Sequence, residues 1–131
     1  MKKERFADLI KGFVSSYEEI YPLGRSNSQE EFKNRAALYS AINISLDMSA
    51  KTIGDHLKRD RSSIHRAIKL HKDNMMYLQG YRDAYRVATQ MIAYKVSLVA
   101  VLEETKETLR DITEVKNKIE ANLKEIEQAW K

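Results

Sequence analysis

The stretch "KRDRSSIHRAIKLHK", Lys58 to Lys72, holds six Lys or Arg and two His in fifteen residues, against one acid, Asp60. Within it Ser62, His65, Arg66 and Lys69 fall at i, i+3, i+4 and i+7, which aligns cationic and hydroxyl groups along one helical face. Ile64, Ala67, Ile68 and His71 repeat that spacing on another face. One face is therefore suited to packing and the other to a polar, negatively charged partner. A DNA major groove admits one α-helix, and Arg or Lys reads guanine N7 and O6 there. Ser62 and Ser63, in the first turn, can donate to phosphates or bases beside the helix N-terminus.

The charge is local. From Lys51 to Lys72, seven Lys or Arg face only Asp55 and Asp60, a net of +5 in a chain of net +4, so the remainder sums to −1. All three histidines lie in the same window. This is the electrostatic footprint of a nucleic-acid-binding element. A solvated basic surface with no partner is the plain alternative, and the helical spacing favours DNA over it. Other chemistries have little to stand on. His56, His65 and His71 lack the i, i+4 spacing that pairs imidazoles on a helix, and there is no cysteine, so no metal site is expected. Neither a nucleophile elbow nor a phosphate loop is present, and no enzyme activity or cofactor is predicted.

These residues need elements to position them. The chain has 131 residues, 43% apolar and 32% charged, with four Gly and one Pro. So few turn residues predict an all-α protein. Phe6, Leu9, Ile10, Phe13, Tyr17 and Ile20 form the apolar stripe of a first helix over residues 4–20. Pro22 and Gly24 end it. Ser28 opens a second helix, with Glu31 at capping-box spacing, and its core face is Phe32, Ala36, Tyr39, Asn43 and Leu46, with Leu38 and Ile42 alongside. Ser49 caps a short third helix through Leu57, in which Gly54 implies a close approach by another helix. A fourth helix runs from Asp60 or Arg61 to about His71. Two short helices joined by a three-residue turn have the pattern of a helix-turn-helix.

"SAKTIGDHLKRDRSSIHRAI", Ser49 to Ile68, resembles the DNA-binding C-terminal domain of the bacterial replication initiator DnaA. That family's motif runs approximately S-L-x-x-I-G-x-x-F-G-G-R-D-H-T-T-V-x-x-A. It is matched here by Ser49, Ile53, Gly54, Leu57, Arg59, Asp60, Ser62, Ser63, Ile64 and Ala67. Upstream, "NRAALYSAI" is similar to the family's preceding helix, and the likeness covers residues 30–80. It implies a Trp-repressor-like helix-turn-helix in which Asp60, Arg61, Ser62 and Ser63 approach the major groove, in a protein of bacterial or phage origin. Two departures stand out. "LKRD" is one residue shorter than "FGGRD", and Arg61 replaces the family's His, so the family's target sequence is not implied. No G-x-x-x-x-G-K-[ST] occurs in the sequence, so the initiator's ATPase is not implied either.

From Tyr81 to Lys131 there are 51 residues without Gly or Pro. Heptads place Ala84, Met91, Leu98, Thr105, Ile112, Ile119 and Ile126 at a, and Val87, Tyr94, Val101, Thr108, Val115, Asn122 and Ala129 at d. That period predicts a coiled coil, with Asn122 fixing register. Leu102, Leu109, Leu123 and Trp130 widen the stripe at e. The alternative is a hairpin broken near Thr105–Thr108 that packs within one chain.

The sequence thus predicts an all-α protein with an amphipathic helix over 1–24, a helix-turn-helix domain over 28–80 and a long coiled-coil helix over 81–131. The expected contacts to double-stranded DNA are Lys51, Thr52, Lys58, Arg59, Asp60, Arg61, Ser62, Ser63, His65, Arg66 and Lys69. A homodimer or higher homo-oligomer is expected through Leu98, Val101, Ile112, Val115, Ile119, Asn122 and Ile126. Asp8 and Lys11 interrupt any signal-peptide core and no apolar run reaches membrane-span length, which predicts a cytoplasmic protein, at a bacterial nucleoid or in the host of a phage. The competing function is a structural protein that keeps the helix-turn-helix as a scaffold and binds another protein with its long helix.

Overall fold

The computed structural model describes residues 3–130, with side-chain surroundings from residue 7 onward. It is all-α. The helices are α1 (Lys3–Ile20), α2 (Gln29–Ser45), α3 (Ala50–Leu57), α4 (Arg61–Lys69), α5 (His71–Tyr77) and α6 (Gln79–Ala129). The chain divides into two units, residues 1–96 and 97–131. No helix among the described residues is long and apolar enough to cross a membrane.

In the first unit α1 buries Leu9, Ile10, Phe13 and Tyr17, the centre of the predicted stripe, while Ile20 is exposed. The Phe6 side chain lies outside the described residues. Tyr17 donates its hydroxyl to the backbone carbonyl of Asn34 in α2 at 2.7 Å. Burial raises this phenol far above its ordinary pKa, so it stays a donor. Asn34 in turn donates its side-chain amide to the Pro22 carbonyl at 3.0 Å, which ties the loop after α1 to α2. Gly24 sits in that loop at φ +53, where a Cβ would run into the Glu31 carboxylate. Glycine suits that left-handed conformation without strain, and a larger residue there would displace the Glu31 carboxylate.

Ser28 caps α2 by accepting from the Glu31 N–H at 3.3 Å. The reciprocal half of a capping box does not form. The Glu31 carboxylate instead accepts from the N–H and hydroxyl of Ser26, and these bonds hold its pKa below the usual carboxylate value. α2 also departs from the one-sided face expected of it. Asn34 through Ile42 are all buried, so α2 is enclosed by its neighbours. The small residues Ala36, Ala37, Ser40 and Ala41 permit that approach, and Phe32, Asn43 and Leu46, expected in the core, are only half-buried.

Beyond α4 the predicted helix to His71 stops early. Leu70 takes ψ −2 and its N–H bonds to the carbonyls of Arg66 and Ala67, which turns the chain into the separate helix α5. Leu78, in extended conformation, joins α5 to α6. His71 begins α5, half-buried, with Nδ1 2.7 Å from the Tyr81 hydroxyl, which donates to Ser40 Oγ at 3.0 Å. Burial lowers the His71 pKa and pushes the Tyr81 hydroxyl up to about 12.

The start of α6 belongs to this core through Tyr81, Ala84, Ala88 and Ile92. The first unit therefore extends to residue 96, beyond the boundary at 80 read from the sequence. The buried face also differs from the predicted heptad seam in this region: Ala84 is shared, Val87 and Met91 are half-buried, and Tyr94 is 66% exposed.

The second unit is helical from Ser97 to Ala129, continuous through the residues where a hairpin would have broken. Thr105 and Thr108 bond back to the carbonyls of Val101 and Glu104 within the helix. Leu98, Val101, Ile112, Val115, Ile119 and Ile126 are all exposed, at 40–59%.

Candidate nucleic-acid interface

α3 and α4 are set by local hydrogen bonds and one steric requirement. Ser49 Oγ accepts from the Thr52 N–H at 3.2 Å and so caps α3. The helix ends at Lys58, which adopts the left-handed conformation at φ 53, and the Arg59 N–H returns to the Gly54 carbonyl at 3.0 Å. Lys58, Arg59 and Asp60 form the three-residue turn, and α4 starts at Arg61. A Cβ at Gly54 would lie 2.7 Å from the Arg59 carbonyl oxygen and 3.6 Å from the Ile64 side chain. The element that crowds Gly54 is thus the turn itself together with the first turn of α4.

Ile64 and Ala67 are fully buried, and Ile68 is half-buried, so one face of α4 is anchored in the core. Arg61, Ser62, Ser63, His65, Arg66 and Lys69 are exposed on the remaining arc. Lys51 and Thr52 are exposed on the first turn of α3, and Lys58 and Asp60 are exposed in the turn. A shallow cleft of about 440 Å³ lies between Ser49, Ala50 and Lys51 on one side and Arg61, Ser62 and His65 on the other. The Asp60 side chain makes no cap bond to the α4 backbone, and its carboxylate accepts from the Ser63 hydroxyl at 3.4 Å. Arg59 is half-buried and donates Nη2 to the Gly24 carbonyl at 3.0 Å, which pins the turn to the loop after α1.

The predicted set divides around α4: Lys51, Arg61, Ser62 and His65 line that cleft, whereas Arg59, Asp60, Ser63 and Arg66 lie on the other flank, with Arg59 occupied in holding the turn to the loop after α1. Four residues were missed by sequence reasoning. Arg25, Asn27, Arg35 and Tyr39 line a second cavity, of about 310 Å³, along the other flank of α4, where Ser63 and Arg66 also face. The local sequence carried no signal for them, since Arg25 and Asn27 lie in a polar loop and Arg35 follows Lys33 and Asn34. Among the described residues no group of three His, Cys, Asp or Glu is arranged to hold a metal ion. Compared with protein-family models, curated proteins and solved structures, the chain matches none.

Proposed function

We propose that this chain is a sequence-specific double-stranded DNA-binding protein, a regulator of transcription or replication, that reads DNA with α4 and associates with copies of itself through residues 97–130. The observation that carries the reading is the division of α4. Ile64 and Ala67 fix it to the core, while Arg61, Ser62, His65, Arg66 and Lys69 lie on the exposed arc, and the turn before it is pinned from two sides. A helix held this way presents side chains at defined positions to a major groove. The local net charge of +5 and the motif likeness of Ser49–Ile68 to the initiator's DNA-binding domain support the same reading. Self-association supplies a second α4, and two-fold symmetry then implies a pseudo-palindromic site.

A second reading, an interaction protein built on the same scaffold, is favoured by one observation: the exposed apolar side chains from Leu98 to Trp130. Selection of bound sequences from a random DNA pool separates the two, and an unenriched pool overturns the DNA reading. On the selected site, a dimer neutralising about 6–8 phosphates gives a slope of log K against log[salt] of about −5 to −7. Arg61→Ala costs about 1–3 kcal/mol on that site and relaxes sequence preference, whereas Lys51→Ala weakens all sequences alike and reduces the salt slope by about one. An unchanged specific-to-nonspecific ratio in folded Arg61→Ala would remove α4 as the reader.

A further inference from the structure

The cavity on the far flank of α4 is ringed by four arginines, Arg25, Arg35, Arg59 and Arg66, against one carboxylate, Asp60. Two of the four are fixed by backbone carbonyls of one loop. Arg35, only 9% exposed, donates Nη1 to the Leu23 carbonyl at 2.7 Å and Nη2 to the Ser26 carbonyl at 2.8 Å. Arg59 donates to Gly24 between them. Carbonyls are neutral, so these bonds hold the guanidiniums in place without cancelling their charge. Glu31 is the carboxylate nearest to Arg35, at 4.0 Å, and it already accepts two bonds from Ser26. No ion pair among the described residues involves Arg25, Arg59 or Arg66.

Each guanidinium has five N–H donors, so most of the donors around this cavity are unspent. Tyr39 forms part of the wall. Burial raises its hydroxyl pKa, and the opposing fields of Arg59 and Arg35 both reach it. The Ser63 hydroxyl adds a further donor and acceptor. Clustered positive charge, with Arg35 and Arg59 held by carbonyls and little counter-charge nearby, favours an anion with several oxygens at different angles. A phosphate matches that better than a carboxylate, because its tetrahedral oxygens meet guanidinium forks from more than one side.

We propose that this cavity is a phosphate-binding site, in which Arg25, Arg59 and Arg66 take the oxygens of a phosphate group over Arg35. The inference does not rest on the DNA reading. A DNA backbone and a small phosphorylated molecule present the same oxyanion, and either is a source the site accepts.

The test uses the full chain titrated with inorganic phosphate, ionic strength being held with sodium chloride, while backbone amide and arginine Nε–H resonances are followed. Saturable shifts are expected at Arg25, Arg35, Arg59, Ser63 and Arg66 that chloride does not produce. Arg25→Gln and Arg66→Gln, at side chains that make no ion pair among the described residues, should each weaken phosphate about tenfold or more. The source is then resolved with the selected duplex. Phosphate displaced by DNA, with one methylphosphonate position that weakens the unmodified chain but not Arg25→Gln, identifies the backbone. Phosphate retained alongside DNA identifies a free phosphorylated ligand. Shifts equal in chloride, or both variants titrating like the unmodified chain, overturn the proposal. Phosphate binding without any DNA binding would overturn the preceding function and leave this site standing.

Discussion

The two halves of α6 differ in a way that sequence periodicity alone does not show. In the first unit one face of it is covered by the chain itself, with Tyr81, Ala84, Ala88 and Ile92 at 0–2% exposure, while Tyr94 on another face is 66% exposed. In the second, large apolar residues stand at 40–86% exposure between Leu98 and Trp130. Both segments are helical and both carry an apolar stripe. The first has partners from α1, α2 and α5 within the same chain; the second has none among the described residues of its own unit. A heptad pattern reports that a face needs cover, and the fold decides whether the chain supplies it.

The largest effect should come from cutting α6 on either side of that change. A chain ending at Gln79 loses Tyr81, Ala84, Ala88 and Ile92 from the core. Fully burying a side chain of isoleucine size stabilises by about 1.5–3 kcal/mol, so losing four buried positions consumes much of a typical net stability of about 5–15 kcal/mol. That chain should be unfolded or molten by circular dichroism and amide dispersion. A chain ending at Val96 should fold cooperatively and remain monomeric by light scattering. A folded chain ending at Gln79 would break the distinction.

Substitution tests the same contrast residue by residue. Ile64→Asp buries a carboxylate among apolar side chains and should unfold the first unit. Ile112→Asp with Ile119→Asp places two charges at exposed positions, so the first unit should keep its melting temperature while the full chain falls from dimer or higher to monomer. If the full unmodified chain already scatters as a monomer at micromolar concentration, residues 97–130 do not self-associate.

A smaller effect is expected from acid. The His71 pKa is lowered from its ordinary 6.5 by burial, so the unfolded chain takes up a proton at a higher pH than the folded one. Stability is unaffected well above 6.5, declines as pH falls through that value, and levels off once the folded-state pKa is passed. Thermal melts from neutral pH to about pH 5 should show this decline. His71→Gln should flatten it, with the Tyr81–Ser40 bond retained.

The smallest change concerns the turn. Lys58 is a non-glycine residue at φ 53, a conformation that costs an L side chain about 1–2 kcal/mol. Lys58→Gly relieves that strain but adds freedom to the unfolded chain, so a net gain of about 0.5–1 kcal/mol is expected in chemical denaturation. A loss of stability would show that the lysine side chain contributes packing that the strain argument omits.

Much of this protein was determined by its sequence within spans of a few residues. The caps at Ser28 and Ser49, the end of α1 before Pro22, the three-residue turn and the two faces of α4 follow from hydrogen bonds and periodicities that close within one or two helical turns. The all-α class and the uninterrupted helix after Tyr81 followed from the scarcity of Gly and Pro. Only the tertiary structure decided that α2 is enclosed, that the chain turns at Leu70, that α6 stays in the core to Ile92, and that four arginines distant in sequence ring one cavity. These depend on which surfaces meet. Arg59 lies 35 positions from the carbonyl it holds and Tyr81 41 from its serine, and a pairing over such separations leaves no mark in the local pattern, because it is chosen by the packing of whole helices.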